Sequence, residues 1–193
     1  MTPDSTATET TVSYRIARRR HDEGFTLIDM IFVVGMIGVL ATIAMPKLLR
    51  AQVAASAASA IGSMRAISSG QLIFALTCDS GFYAPDLATL GIIPPGSRAA
   101  FLDPTLGRPD PVIKSGYQLQ MTGTANPSSP VSCNGLAAGM GAQAFAATGD
   151  PVLPGATPRF FGTNASGAIY EDKATYVGTM PEQGSPPTGV PIH

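Results

Sequence analysis

Residues 18–45 read RRRHDEGFTLIDMIFVVGMIGVLATIAM, so three arginines and a short polar link precede a long apolar segment. Residues 25–45 number 21, and Asp29 is the one charged residue among them. At about 1.5 Å of rise per residue, a helix of this length crosses the roughly 30 Å of hydrocarbon in a lipid bilayer. Arg15 and the arginines at 18–20 favour the cytoplasmic side for the preceding residues. The stretch therefore predicts a transmembrane helix close to the amino terminus.

Gly24 and the residues after it indicate a processing site in front of this helix. The sequence Gly24-Phe25-Thr26-Leu27-Ile28 resembles the prepilin peptidase site of the type IV pilin and type II secretion pseudopilin family. The resemblance covers about the first 55 residues. It implies that residues 1–24 are a leader peptide, that the chain is cut between Gly24 and Phe25, and that the nitrogen of Phe25 is then methylated. Cleavage after Ala44, as in a secretory signal, is the alternative.

Asp29 is unusual because it places an acid inside the apolar segment. A carboxylate at the centre of a membrane helix costs about 2.5–3.5 kcal/mol on insertion scales, so a compensating partner is expected. Members of the resembled family carry glutamate here, where it pairs with the amino terminus of a neighbouring subunit. Asp29 can form the same charge-assisted pair with a side chain one methylene shorter. This departure favours a pseudopilin or minor subunit over a major pilin. The alternative is that Asp29 lies near the lipid headgroups.

The helix is expected to continue beyond the apolar segment, with a disturbance at Gly38 and Pro46. Proline lacks a backbone donor and clashes with the preceding turn, which predicts a kink near Met45. In filaments of the resembled family the matching stretch is extended or melted. Residues 46–77 show an amphipathic pattern, so the predicted helix covers about 25–77. Its apolar positions are Leu49, Val53, Ala57, Ile61, Met64, Ile67 or Ser68, Leu72 and Leu76.

A globular head is predicted at residues 78–180, where most of the 17 prolines and 21 glycines lie. Short runs rich in β-forming residues predict strands at 117–122, 143–148, 159–163 and 168–171, and the link at 164–167 predicts a hairpin. A short helix is expected from Pro85. The chain is therefore assigned to the α+β class, as a long N-terminal helix packed against a small antiparallel sheet. Residues 181–193 are expected to be a flexible tail.

Cys78 and Cys133 are the two cysteines of the chain. A small head has a high ratio of surface to volume, so a covalent staple is useful. A disulfide between these residues would persist outside the cytoplasm, and the chain-entropy argument gives it a stabilising effect of roughly 4 kcal/mol. Two buried thiols are the alternative.

Charge and composition argue against nucleic-acid binding and catalysis. The chain has 12 Lys and Arg against 13 Asp and Glu, and the cations of the head are scattered, so no basic patch is predicted. His21 lies in the leader and His193 in the tail, which leaves the head without a histidine as general base. We therefore expect no enzyme activity, no cofactor and no metal site. Calcium binding by Asp150, Glu171 and Asp172 is the alternative to their being solvated turn residues.

The resemblance implies a structural subunit of a type IV pilus-like filament or a type II secretion pseudopilus, assembled through the N-terminal helix. The implied partners are prepilin peptidase, an inner-membrane assembly platform and other pilin-like subunits in a homo- or hetero-oligomeric filament. The implied location is the bacterial inner membrane before assembly, and then a periplasmic pseudopilus or a cell-surface pilus. Two alternatives remain open: a monomeric membrane-anchored extracytoplasmic binding protein that keeps residues 1–24, and an exported enzyme released after Ala44.

Overall fold

The computed structural model describes residues 25–153 and 158–192. The leader peptide and Gly24 therefore lie outside the described residues, and the cut after Gly24 stays a prediction. The chain divides into two compact units, Met1–Pro46 and Lys47–His193. The division falls inside the first helix.

The first helix, α1, spans Leu27–Thr77 and contains Pro46. This confirms the long helix predicted over about 25–77. Alanine and serine make up most of residues 51–60, and alanine has the highest helix propensity of all residues. Pro46 cannot donate a backbone hydrogen bond to the preceding turn, yet the residues on both sides of it are helical. The kink at Gly38 and Pro46, and the melting of this stretch in a filament, stay predictions.

A short helix and an antiparallel sheet follow α1 in the second unit. Within the described residues the sheet has six strands, each hydrogen-bonded to the next in chain order. The predicted α+β class is thereby confirmed. The elements are α2 (Leu87–Gly91), β1 (Val112–Lys114), β2 (Tyr117–Thr122), β3 (Ala146–Pro151), β4 (Phe160–Asn164), β5 (Ile169–Asp172) and β6 (Val190–Ile192).

The predicted strands agree with the central part of this sheet. β2 matches the predicted range, while β3, β4 and β5 are shifted by one to three residues. β4 and β5 pair across the predicted hairpin link at 164–167. β1 and β6 have three residues each, which is too short for an alternating pattern to be recognised. Part of the tail that was expected to be flexible is instead a strand, because β6 pairs with β5.

Asn164 and Glu182 hold the tail against the rest of the head. The side-chain nitrogen of the buried Asn164 donates to the carbonyl oxygens of Pro181 and Gly184, at 2.9 and 2.7 Å. The Oε1 atom of Glu182 accepts hydrogen bonds from the backbone N–H and the hydroxyl of Thr124, at 2.8 and 2.7 Å. These side-chain hydrogen bonds add to the packing of Ile192 against the core, so the tail is attached to the head.

The core of the second unit lies between α1 and one face of the sheet. Met64, Ile67 and Phe74 of α1 are fully buried, as are Leu119 of β2 and Phe161 of β4. Burial of a side chain of this size contributes about 1.5–3 kcal/mol relative to leaving it exposed. The sheet and the second half of α1 thus stabilise each other.

The buried face of α1 differs from the predicted face near the end of the helix. Leu72 and Leu76 belong to the apolar side of the predicted amphipathic pattern, but they are 53% and 74% exposed. Gln71 is buried instead: its Oε1 accepts from the N–H of Ala84 and its Nε2 donates to the carbonyl of Ala84, both at 2.8 Å. A buried backbone segment needs such partners, so a glutamine occupies a place that hydrophobicity assigns to leucine. Two further apolar positions of that pattern, Leu49 and Val53, are also exposed.

Candidate functional site

Thr26 and Asp29 cap the amino end of α1. The hydroxyl and the backbone N–H of Thr26 both donate to Oδ2 of Asp29, at 2.6 and 3.1 Å. The N–H of Asp29 donates to the hydroxyl oxygen of Thr26 at 3.3 Å. This is a reciprocal capping box with aspartate in the place of glutamate or glutamine, and it supplies acceptors for N–H groups that a helix start leaves unpaired. The Thr-x-x-Asp spacing is a sequence signal for this cap, which the family resemblance alone does not bring out.

The cap holds the Asp29 carboxylate against Thr26, which directly follows Phe25, the residue that the predicted cut would make amino-terminal. Both bonds from Thr26 reach Oδ2, and a carboxylate has a second oxygen able to accept hydrogen bonds. The capped carboxylate therefore keeps an acceptor that a neighbouring amino group could use. That pairing, and the methylation of Phe25, stay predictions.

The apolar segment exposes side chains around its whole circumference. Phe25, Leu27 and Ile28 are 79%, 78% and 73% exposed, and no described residue of the first unit is buried. A Cβ atom built on Gly35 or Gly38 meets no atom of the described residues within 4 Å, the helix's own nearby backbone aside. Within the described residues, α1 is the one helix long and apolar enough to cross a membrane. Length and composition are weak support for anchoring, because a signal sequence has the same properties.

Cys78 and Cys133 form a disulfide, as predicted. Their Cα atoms are 4.8 Å apart, although 55 positions separate the residues in the sequence. The carbonyl oxygen of Cys78 also accepts a hydrogen bond from the N–H of Cys133 at 2.9 Å. The bridge joins the residue directly after α1 to the long loop between β2 and β3.

The three acidic residues considered for calcium have other partners. Both carboxylate oxygens of Glu171 accept hydrogen bonds from Arg159, with Nη2 to Oε2 at 2.6 Å, and these bonds lower the pKa of Glu171. Asp150 accepts a hydrogen bond from the hydroxyl of Thr175 at 2.5 Å, and Asp172 accepts one from the N–H of Lys173 at 2.6 Å. Asp150, Glu171 and Asp172 lie on β3 and β5, not in the turns that were expected. Across residues 25–153 and 158–192, no group of three or more His, Cys, Asp or Glu side chains could hold a metal ion.

Asp79 is a buried acid, and nothing in the sequence predicts its burial. Its side chain is 0% exposed, and neither carboxylate oxygen has a hydrogen-bond partner among the described residues. Burial raises the pKa of Asp79, because a low-polarity environment disfavours the charged form. The surroundings thus favour a neutral carboxyl group next to the disulfide residue Cys78.

Asp110 is a second acid with a raised pKa, and it lies beside the start of α2. Its Oδ2 accepts from the N–H of Leu87 at 3.4 Å, and its Oδ1 accepts from the N–H of Met121 at 3.3 Å. Burial raises the pKa of Asp110 to about 6; the two backbone bonds oppose this shift and the nearby Asp86 charge adds to it. Asp110 therefore titrates closer to neutral pH than an exposed aspartate.

Replacing this residue with asparagine (Asp110→Asn) is expected to change the pH dependence of stability. The folded-state pKa lies above the unfolded one, so the carboxyl favours folding when protonated, and this contribution is lost as pH rises from about 4 to about 7. The full shift corresponds to about 3 kcal/mol, which partial exposure reduces to about 1 kcal/mol. The variant should gain about that much on the wild type across this pH range. Urea unfolding of a fragment that starts at Lys47 measures the difference.

Asp103→Asn provides a control of opposite sign for that measurement. A hydrogen bond from the Thr105 hydroxyl lowers the pKa of Asp103, so this variant should lose stability relative to the wild type as pH rises to about 5, with no further change between about pH 5 and 7. If the difference between Asp110→Asn and the wild type did not change with pH, the raised pKa of Asp110 would be wrong.

An open groove of about 330 Å³ lies between the loop after β2 and the tail. Its lining includes the side-chain amides of Asn126, Gln143 and Gln183, together with Glu182, whose carboxylate binds Thr124. These groups can form hydrogen bonds with a ligand.

Comparisons of the chain with protein-family models, with curated proteins and with solved structures found no match. The structural support for the family resemblance is therefore coarse. It consists of a long, apolar N-terminal helix whose second half packs on an antiparallel sheet.

Proposed function

We propose that this chain is a structural subunit of a type IV pilus-like filament or a type II secretion pseudopilus. Prepilin peptidase cuts it after Gly24, residues 25–45 anchor it in the bacterial inner membrane, and an assembly platform moves it into a filament of pilin-like subunits. The filament lies in the periplasm or on the cell surface. The observation that carries the proposal is an apolar helical segment, exposed on all sides, with one capped carboxylate at its start.

An apolar helix surface of this extent needs a covering partner. A helix that is hydrophobic all round is normally buried in a membrane or in a protein core. Lipid can cover residues 25–45 before assembly, and neighbouring helices can cover them in a filament. The two glycines at 35 and 38 support the second arrangement, since small residues let helices approach closely.

The head has properties that suit the outside of such a filament. The Cys78–Cys133 disulfide is typical of proteins that function in an oxidising compartment. Leu72, Ile73 and Leu76 expose apolar surface on α1, and exposed apolar patches commonly mark protein contacts. We propose a role in assembly and no catalytic role.

Intact mass and amino-terminal sequencing test the proposal. The protein is recovered from its native membrane and from material sheared off the cell surface. We expect a chain that starts at methylated Phe25. Its presence in the sheared material would favour a surface pilus, and its restriction to the membrane and periplasm would favour a pseudopilus. A chain that keeps Met1, or one that starts after Ala44, would refute the proposal.

A second candidate is a monomeric membrane-anchored extracytoplasmic binding protein. The observation in its favour is the polar groove beside Glu182, whose amides could bind a ligand. This candidate requires an uncut chain, so the same mass measurement separates it from a filament subunit.

A further inference from the structure

Lys47 and Arg50 are exposed cations at the start of the second unit. Neither has a carboxylate within ion-pair distance among the described residues. The sequence contains no acidic residue between Asp29 and Asp79, so no neighbour on the same stretch of helix neutralises them. Residues three apart on a helix are neighbours on its surface. The two side chains therefore form a cationic site that lacks an anionic partner among residues 25–153 and 158–192.

The same turns of α1 also expose apolar side chains. Leu48, Leu49 and Val53 are 60%, 63% and 54% exposed. Basic residues combined with exposed leucines are typical of helical segments at a membrane interface, where the cations reach the headgroups. With residues 25–45 in the hydrocarbon, Lys47 and Arg50 would lie about 3 and 7.5 Å beyond its edge along a helix. That depth is within the headgroup layer of a bilayer.

We propose that Lys47 and Arg50 bind the phosphate groups of anionic phospholipids at the extracytoplasmic face of the membrane. This inference rests on the proposed function, because it requires residues 25–45 to be inserted in a bilayer. A guanidinium group binds phosphate through two parallel hydrogen bonds, and an ammonium group adds a point charge. Together they hold the end of the apolar segment at the headgroup layer and fix the depth of the subunit before assembly.

A fluorescence experiment on the full chain in vesicles tests this inference. The sequence contains no tryptophan, so Leu48→Trp introduces a single reporter between the two cations. The vesicles contain phosphatidylcholine with a minor fraction of phosphatidylglycerol, and bromine quenchers are placed on the acyl chains of one lipid or the other. We expect phosphatidylglycerol to associate about five times more strongly than phosphatidylcholine at the reporter, and less so in high salt. Adding Lys47→Gln and Arg50→Gln should reduce this ratio to about one.

Arg65→Gln combined with Arg98→Gln is the matched control, because it removes the same charge from exposed positions of the second unit. This control should keep the preference for phosphatidylglycerol. Quenching by both lipids without a preference would overturn the lipid inference and leave the filament proposal standing. So would a loss of the phosphatidylglycerol preference in the control as large as in the Lys47→Gln, Arg50→Gln variant. Absence of quenching by either lipid would show that the segment is not inserted, which would overturn both.

Discussion

Asp29→Asn is expected to reduce the amount of assembled filament by about tenfold or more. Asparagine is nearly the same size, and its amide oxygen can still accept the hydrogen bonds from Thr26, so the helix cap is retained. The substitution removes the negative charge, and hydrogen bonds to charged groups contribute about 1.5–3 kcal/mol each. A loss of about 1.4 kcal/mol per subunit contact already corresponds to a factor of ten. The measurement is the fraction of processed chain found in sedimented filaments, relative to the membrane fraction.

Thr26→Val separates the role of the carboxylate in assembly from its role in the cap. Valine matches threonine in shape but removes the hydroxyl that bonds to Asp29, so the cap weakens while the charge remains. We expect a much smaller loss of filament than for Asp29→Asn, and near-normal assembly for Asp29→Glu, which restores the usual family residue. Intact mass checks that every variant is still cut. If Thr26→Val assembled poorly and Asp29→Asn assembled normally, Asp29 would serve only the helix cap.

Removal of the disulfide is expected to destabilise the head by about 4 kcal/mol. Replacing Cys78 and Cys133 with alanine frees two residues that are 55 positions apart, so the unfolded chain gains conformational entropy. Typical domains are stable by only about 5–15 kcal/mol, so the loss would be a large part of the total. The free energy of unfolding is obtained from urea titration of a fragment that starts at Lys47, without reducing agent.

Two comparisons control this measurement. The wild-type fragment in reducing agent should unfold at nearly the same urea concentration as the double variant, because both lack the bridge. Val131→Ala changes an exposed residue near Cys133 and should leave stability within about 0.5 kcal/mol of the wild type. A double variant as stable as Val131→Ala would mean that the disulfide does not stabilise the head by restricting the conformations of the unfolded chain.

Local patterns were sufficient to predict the larger elements of the fold. The apolar segment and the alanine-rich stretch after it predict a long helix, and a run rich in β-forming residues predicts β2 at its observed bounds. β6 had no such signal, since it forms only when Val190 and its neighbours meet β5 from a distant part of the chain. The predicted apolar side of α1 was partly wrong for a similar reason. Gln71 is buried because of a bond to Ala84, and hydrophobicity says nothing about that partner.

Some features of the candidate site were likewise predictable from local sequence, and others depend on remote segments. The disulfide followed from the presence of two cysteines, and the cap at Asp29 has a readable spacing. The raised pKa values of Asp79 and Asp110 depend on burial by remote segments, so a single sequence carries no sign of them. The assembly role of Asp29 depends on a second subunit and is a matter for experiment.

The attachment of the tail has a practical consequence for handling this protein. Its proline- and glycine-rich composition invites an engineer to delete residues 181–192 or to fuse an affinity tag there. Deletion would remove the strand that covers the edge of β5 and would leave the inward-facing amide of Asn164 without its two carbonyl acceptors. An unpaired sheet edge is a template for aggregation. Purification tags therefore belong elsewhere, and natural variation at the carboxyl terminus should be more restricted than its composition suggests.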